Sequence, residues 1–115
     1  MPKIRLNEII CNTPNEDNKD EVFLKYKGKK IWPTKSMFVK MGVDDAIQIG
    51  VAGKFPSGWV EIELWDYDFA RKNNHLGTFH LEVDGETGHM GTILSTNQEV
   101  SEVADYTLNW QAKGD

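Results

Sequence analysis

The stretch from Trp59 to Gly77, WVEIELWDYDFARKNNHLG, constrains the fold of this chain more than any other. Val60, Ile62 and Leu64 alternate with Trp59, Glu61, Glu63 and Trp65, the period-two pattern of an antiparallel strand with one buried face. The strand then delivers Asp66 and Asp68, on either side of Tyr67, into a polar loop. In extended backbone, residues i and i+2 share a face, which places the two carboxylates close enough for one hard cation to bridge. Two like charges at that separation call for a counter-charge.

The rest of the chain repeats the same grammar of short alternating runs separated by turn residues. Lys3 to Cys11 reads as a first strand, with a bulge or change of face near Asn7 where Glu8 interrupts the alternation. Asn12 to Glu21 has the Asn, Pro and Asp content of a long loop and carries four carboxylates. Val22 to Lys27 alternates again, and Lys27-Gly28-Lys29 predicts a tight hairpin into Lys30, Ile31 and Trp32, ended by Pro33. The apolar residues of Thr34 to Gly42 fit neither period, so a loop is expected there. Gly42 to Asp45 is a turn, Ile47, Ile49 and Val51 mark a fourth strand, and Gly53 to Gly58 is a Pro/Gly turn before the organising strand. Beyond Gly77, Phe79, Leu81 and Val83 mark a sixth strand and Asp84 to Gly91 a glycine-rich turn. Thr92 to Ser95 is a short seventh strand, Asn97 to Asp105 an acidic loop, and Tyr106, Leu108 and Trp110 alternate in the last strand, Asp105 to Gln111. The expectation is an all-β fold, an eight-stranded antiparallel β-sandwich forming a single domain over residues 1–115.

Composition narrows what such a domain does. A chain of 115 residues that is 39% hydrophobic supports one core. No apolar run approaches the 18 or so residues of a membrane span, and MPKIRLNEIICN lacks the apolar region of a signal peptide, so a soluble chain is expected. A net charge of −5 argues against a nucleic-acid partner. The lone Cys11 reads as a small buried hydrophobe. His75, His80 and His89 show no metal-ligand spacing, and neither a GxSxG nucleophile motif nor a glycine-rich phosphate loop is present, so catalysis is not expected.

In a sandwich the loops cluster at two ends. The loop after the first strand, the turn before the fourth and the loop after the fifth are expected to share one end, gathering Glu16, Asp17, Asp20, Asp44, Asp45, Asp66 and Asp68. An all-oxygen ligand set on flexible loops suits calcium better than magnesium or zinc.

WDYDFARKNNHLG resembles the third calcium-binding loop of C2 domains, where a strand ends in a W/Y-D-x-D element, followed by a third acid six residues on and then a glycine. Asp66 and Asp68 match the first two acids, Asn74 stands where the third is usual, and Gly77 matches the glycine. KDEVFLK, Lys19 to Lys25, is similar to the S-D-P-Y-V-K element after the first calcium loop, with Asp20 at its aspartate. The place of the other first-loop acid is taken by Pro14, leaving Glu16 or Asp17 to substitute. One strand before the first acidic loop, and one after the rest, resembles the phospholipase-type order.

The resemblance implies a C2-like module that binds Ca2+ and docks on an anionic phospholipid membrane or a protein partner. Its implied metal ligands are Asp20, Asp66 and Asp68, with Glu16, Asp17 and Asn74 secondary and the Tyr67 carbonyl as a backbone ligand. The loop tip Phe69, Arg71 and Lys72 is implied as the membrane contact. Lys25, Lys27, Lys29 and Lys30 form a basic hairpin, read either as a phosphoinositide-facing surface or as protection of an edge strand. The alternatives are a calcium-independent C2-like interaction or structural subunit, and a carbohydrate-binding sandwich using Trp59 and Trp65.

Overall fold

The structure, a computed structural model, describes residues 1–114. Among the described residues ten strands are formed: β1 (Lys3–Thr13), β2 (Asp20–Tyr26), β3 (Lys29–Trp32), β4 (Val39–Met41), β5 (Ala46–Lys54), β6 (Gly58–Asp66), β7 (Asn74–Val83), β8 (Met90–Ile93), β9 (Ser95–Thr96) and β10 (Asp105–Lys113). Among the described residues there is no helix long and apolar enough to cross a membrane. One sheet has the order β5-β1-β10-β8 and the other β3-β2-β6-β7-β9, with β4 also paired to β2. Every pairing is antiparallel.

Strand alternation produces the core directly. Ile4, Leu6, Ile9 and Cys11 of β1 and Tyr106, Leu108, Trp110 and Ala112 of β10 point inward from one sheet. Val22 and Leu24 of β2, Val60, Ile62 and Leu64 of β6, and Phe79, Leu81 and Val83 of β7 meet them from the other. Each large apolar side chain so buried contributes about 1.5–3 kcal/mol relative to exposure. The expected irregularity near Asn7 is present: the β1 register shifts between Leu6 and Glu8 against both neighbours, which restores Ile9 to the inner face. The expected hairpin is a two-residue turn with Lys27 and Gly28 at φ 48° and 82°, left-handed values that suit a short connection between twisted strands.

Three expectations are corrected. The segment Thr34 to Gly42 is not all loop, because Val39–Met41 pairs with Val22–Asp20; three residues are too few for a period to emerge, and the open edge of β2 decides their conformation. The loop expected over Asn12 to Glu21 shrinks to residues 14–19: Thr13 pairs with Asp105, and Asp20 and Glu21 pair with Met41 and Lys40. The seventh strand is two short ones, since Leu94 turns into the core and its N–H donates to Tyr106 O at 2.9 Å while the chain passes from one sheet to the other. Ten strands replace eight because edge segments are interrupted where the inner ones are continuous.

Register also decides which loops meet. Thr13 lies opposite Asp105, Ile10 opposite Ala46, Asp20 opposite Met41, Val22 opposite Asp66, and Asp66 opposite Asn74. The loops 14–19, 42–45, 67–73 and 97–104 therefore gather at one end. Asn97 N–H donates to Leu76 O at 2.8 Å, which anchors the last of these beside β7.

Candidate metal centre

Asp20 and Asp66 continue the inward parity of their strands. Asp20 shares a face with Val22 and Leu24, Asp66 with Ile62 and Leu64, and both are buried, with 0% and 1% of their surface exposed. Adjacent strands therefore carry two carboxylates into the mouth of the sandwich, where the core ends. The loop 14–19 brings a third, exposed carboxylate, Glu16, over them. One oxygen from each of Glu16, Asp20 and Asp66 lies within 4.8 Å of the other two.

The three carboxylates differ in how well they are satisfied. Asp20 accepts Asn15 N–H at 2.8 Å and Glu16 N–H at 2.9 Å, so the loop folds around its own last carboxylate. Its Oδ2 also accepts the hydroxyl of Tyr106, which reaches across from the opposite sheet. Burial, and then the neighbouring Asp20, push the Tyr106 phenol well above its usual pKa, so it stays protonated as a donor. Asp66 accepts one bond, from Glu21 N–H at 2.9 Å to Oδ1. Among the described residues its Oδ2 is buried without a hydrogen-bond partner. Burial raises the Asp66 pKa to about 7; Glu16 and Asp20 add to the rise, and the Glu21 N–H opposes it. A buried acceptor with no donor carries its full desolvation cost, about 1–3 kcal/mol and more when charged.

The other residues expected at the site sit around this trio. Asp68 turns back into its own loop: its Oδ1 accepts Ala70 N–H at 2.9 Å, while its N–H donates to Asn73 Oδ1 at 2.9 Å. Tyr67 N–H donates to Glu21 O at 2.7 Å, and its ring stacks on Phe38 at 5.1 Å. Asn74 begins β7 opposite Asp66 and is half-buried, and Asp17 is exposed in its loop. Asp45 closes the 42–45 turn by accepting Gly42 N–H at 2.8 Å, and Asp44 occupies the turn at φ 67°. Sequence reasoning missed Tyr106. The signal was there: inward parity with Leu108 and Trp110 buries a hydroxyl that must then find a partner.

The rim has an apolar component. Phe69 is 88% exposed, flanked by the exposed Arg71 and Lys72, and Val43 and Val103 stand out from the neighbouring loops. On the outer face of the larger sheet, Trp59 is exposed but Trp65 is engaged. Its ring stacks with Phe23 at 6.3 Å and His75 at 5.1 Å, with Lys25 Nζ 4.4 Å from its centroid. Its indole N–H donates to Glu63 at 3.2 Å. A sugar platform on this face reduces to Trp59.

No protein-family model matches the chain, and no curated protein matches it. The functional reading therefore stands on the geometry of the loop end.

Proposed function

We propose that this chain is a C2-like β-sandwich that binds one calcium ion at its loop end through Glu16, Asp20 and Asp66. Loaded in this way, it docks on an anionic phospholipid surface through Phe69, Arg71 and Lys72. The observation that carries the reading is the partnerless, buried Oδ2 of Asp66, held against two further carboxylates. A divalent cation supplies the charge this oxygen lacks, and hard oxygen ligands suit calcium, which takes six to eight of them. Three carboxylates leave coordination positions for water, the Tyr67 carbonyl or a lipid phosphate. Without the ion the rim repels anionic lipid; with it, that repulsion falls and Phe69 enters the interface. Strand order supports the C2-like assignment. Taking β3 with β4 as one interrupted edge strand, and β8 with β9 as one strand that changes sheets, gives eight strands in the phospholipase-type order.

A second reading is favoured by a different observation. Asp20 already receives three hydrogen bonds, and Asp68 is spent on its own loop. A calcium-independent C2-like module that uses the same rim against a protein partner fits carboxylates already engaged within the protein. Thermal unfolding with calcium, with magnesium as control, separates the two. Stabilisation follows RT ln(1 + [Ca]/Kd), about 2.7 kcal/mol at a hundredfold excess over Kd. The calcium reading expects a rise in Tm that Asp66→Asn removes, together with calcium-dependent sedimentation on phosphatidylserine vesicles. A Tm unmoved by millimolar calcium overturns it in favour of the protein-partner module.

A further inference from the structure

At the end of the sandwich remote from the acidic loops, the outer face of the smaller sheet carries, among the described residues, a cluster of four cations. Lys3 lies directly opposite Lys113 of β10 on one side and Lys54 of β5 on the other, so three lysines form a row across three adjacent strands. Arg5 is two residues along on the same face, opposite Gln111 and Ala52. All four cations are exposed, and among the described residues none of them makes an ion pair or hydrogen bond. Like charges facing each other in a cross-strand pair are destabilising, and here the same lysine faces two of them in a chain whose net charge is −5. On the same face Glu8 lies beyond the bulge and is held by Gln48 at 3.0 Å and Asn109 at 3.1 Å. Between the cations the small Ala52 leaves a shallow depression of about 150 Å³, lined by Lys3, Arg5, Ala52, Gln111 and Lys113.

We propose that this depression is an anion site for a ligand bearing two or more phosphoryl groups. Neighbouring strands are about 4.8 Å apart, so the row from Lys54, which stands beside the depression, to Lys113 on its lining spans roughly 10 Å, more than a single phosphate covers. Arg5 supplies a planar fork of donors for a phosphoryl oxygen pair, the lysines supply point charges, and the Gln111 amide adds a neutral donor. Ala52 brings only a methyl group to the lining, which leaves room for an anion between the long side chains. Soluble polyphosphorylated molecules and phosphorylated lipid headgroups share this chemistry.

Calorimetric titration of the full chain with tripolyphosphate at low salt, in chelator, tests the site, with orthophosphate for comparison. Tripolyphosphate is expected to bind more tightly than orthophosphate. Lys3→Gln with Lys113→Gln should weaken it at least about tenfold, whereas Lys29→Gln with Lys30→Gln, on the β2–β3 hairpin, and Asp66→Asn, at the loop end, should leave it unchanged. The Lys3/Lys113 variant should also melt higher than the native chain at low salt, because the facing charges are gone; this confirms that it folds. Pelleting with vesicles containing phosphatidylinositol phosphates, if lost in the same variant, assigns the anion to a headgroup. Tripolyphosphate binding without pelleting assigns it to a soluble ligand. No tripolyphosphate binding by the native chain, no preference over orthophosphate, or equal binding by the Lys3/Lys113 variant overturns the proposal, and none of these outcomes bears on calcium at the other end.

Discussion

Replacing Asp66 by Asn should make the calcium-free protein more stable at pH 8 and remove most of the pH dependence of that stability. The sign follows from where the proton binds. Asp66 titrates at 3.8 in the unfolded chain and about 7 in the fold, so between those values the native state holds a proton that the unfolded state has released. Stability therefore falls as pH rises from 4 to 7, and the penalty is fully present above 7. Each pKa unit corresponds to about 1.4 kcal/mol, which puts the ceiling near 4 kcal/mol. Because Glu16 and Asp20 share in the interaction, roughly 1–3 kcal/mol is the expected gain from one substitution. An Asn keeps an oxygen for Glu21 N–H and turns an NH2 toward the two remaining carboxylates, so shape is preserved. Urea unfolding in chelator, followed by the fluorescence of the buried Trp32 and Trp110, reads the difference at pH 5 and pH 8. With a typical slope of about 1–3 kcal/mol per molar urea, the midpoint should move by on the order of 1 M at pH 8. A variant less stable than native at pH 8, or a native midpoint that is flat from pH 5 to 8, would show that Asp66 is not held ionised against its neighbours.

Three further outcomes are expected. Tyr106→Phe removes a buried donor from Asp20 and should cost about 1–3 kcal/mol in urea unfolding; an unchanged midpoint would mean that the inter-sheet hydrogen bond contributes nothing. Gly77→Ala places a Cβ against the Ser95 carbonyl and 2.9 Å from Leu94, where β9 crosses closest to β7, so a loss of about 1–3 kcal/mol is expected in the same assay. Phe69→Ala should leave stability within about 0.5 kcal/mol, because the ring is already in solvent, while abolishing calcium-dependent sedimentation on phosphatidylserine vesicles. Equal sedimentation of the variant and native proteins would exclude this loop as the insertion point.

The sequence by itself determined the strands that carry the core, because period-two alternation is local and survives without knowledge of neighbours. Val60, Ile62 and Leu64, the inward set Tyr106, Leu108 and Trp110, the two-residue turn at Lys27-Gly28 and the bulge near Asn7 were all legible in this way. The same parity runs on to Asp66, expected in a polar loop beside Asp68 but buried in the fold at the end of β6. Tertiary structure alone decided what pairing decides. Val39–Met41 became a strand because the edge of β2 was open, and the seventh strand broke at Leu94 because its two halves hydrogen-bond to different sheets. Sequence spacing and resemblance suggested Asp20, Asp66 and Asp68 as principal ligands with Glu16 beside them; the fold brings Asp20, Asp66 and Glu16 within 4.8 Å of one another, while Asp68 Oδ1 accepts Ala70 N–H in its own loop. Separation across a sheet depends on register, and register is fixed by the whole buried face at once rather than by the two residues concerned. The same holds for the row of Lys3, Lys54 and Lys113, three charges far apart in the chain that only the pairing of β1 with β5 and β10 brings side by side.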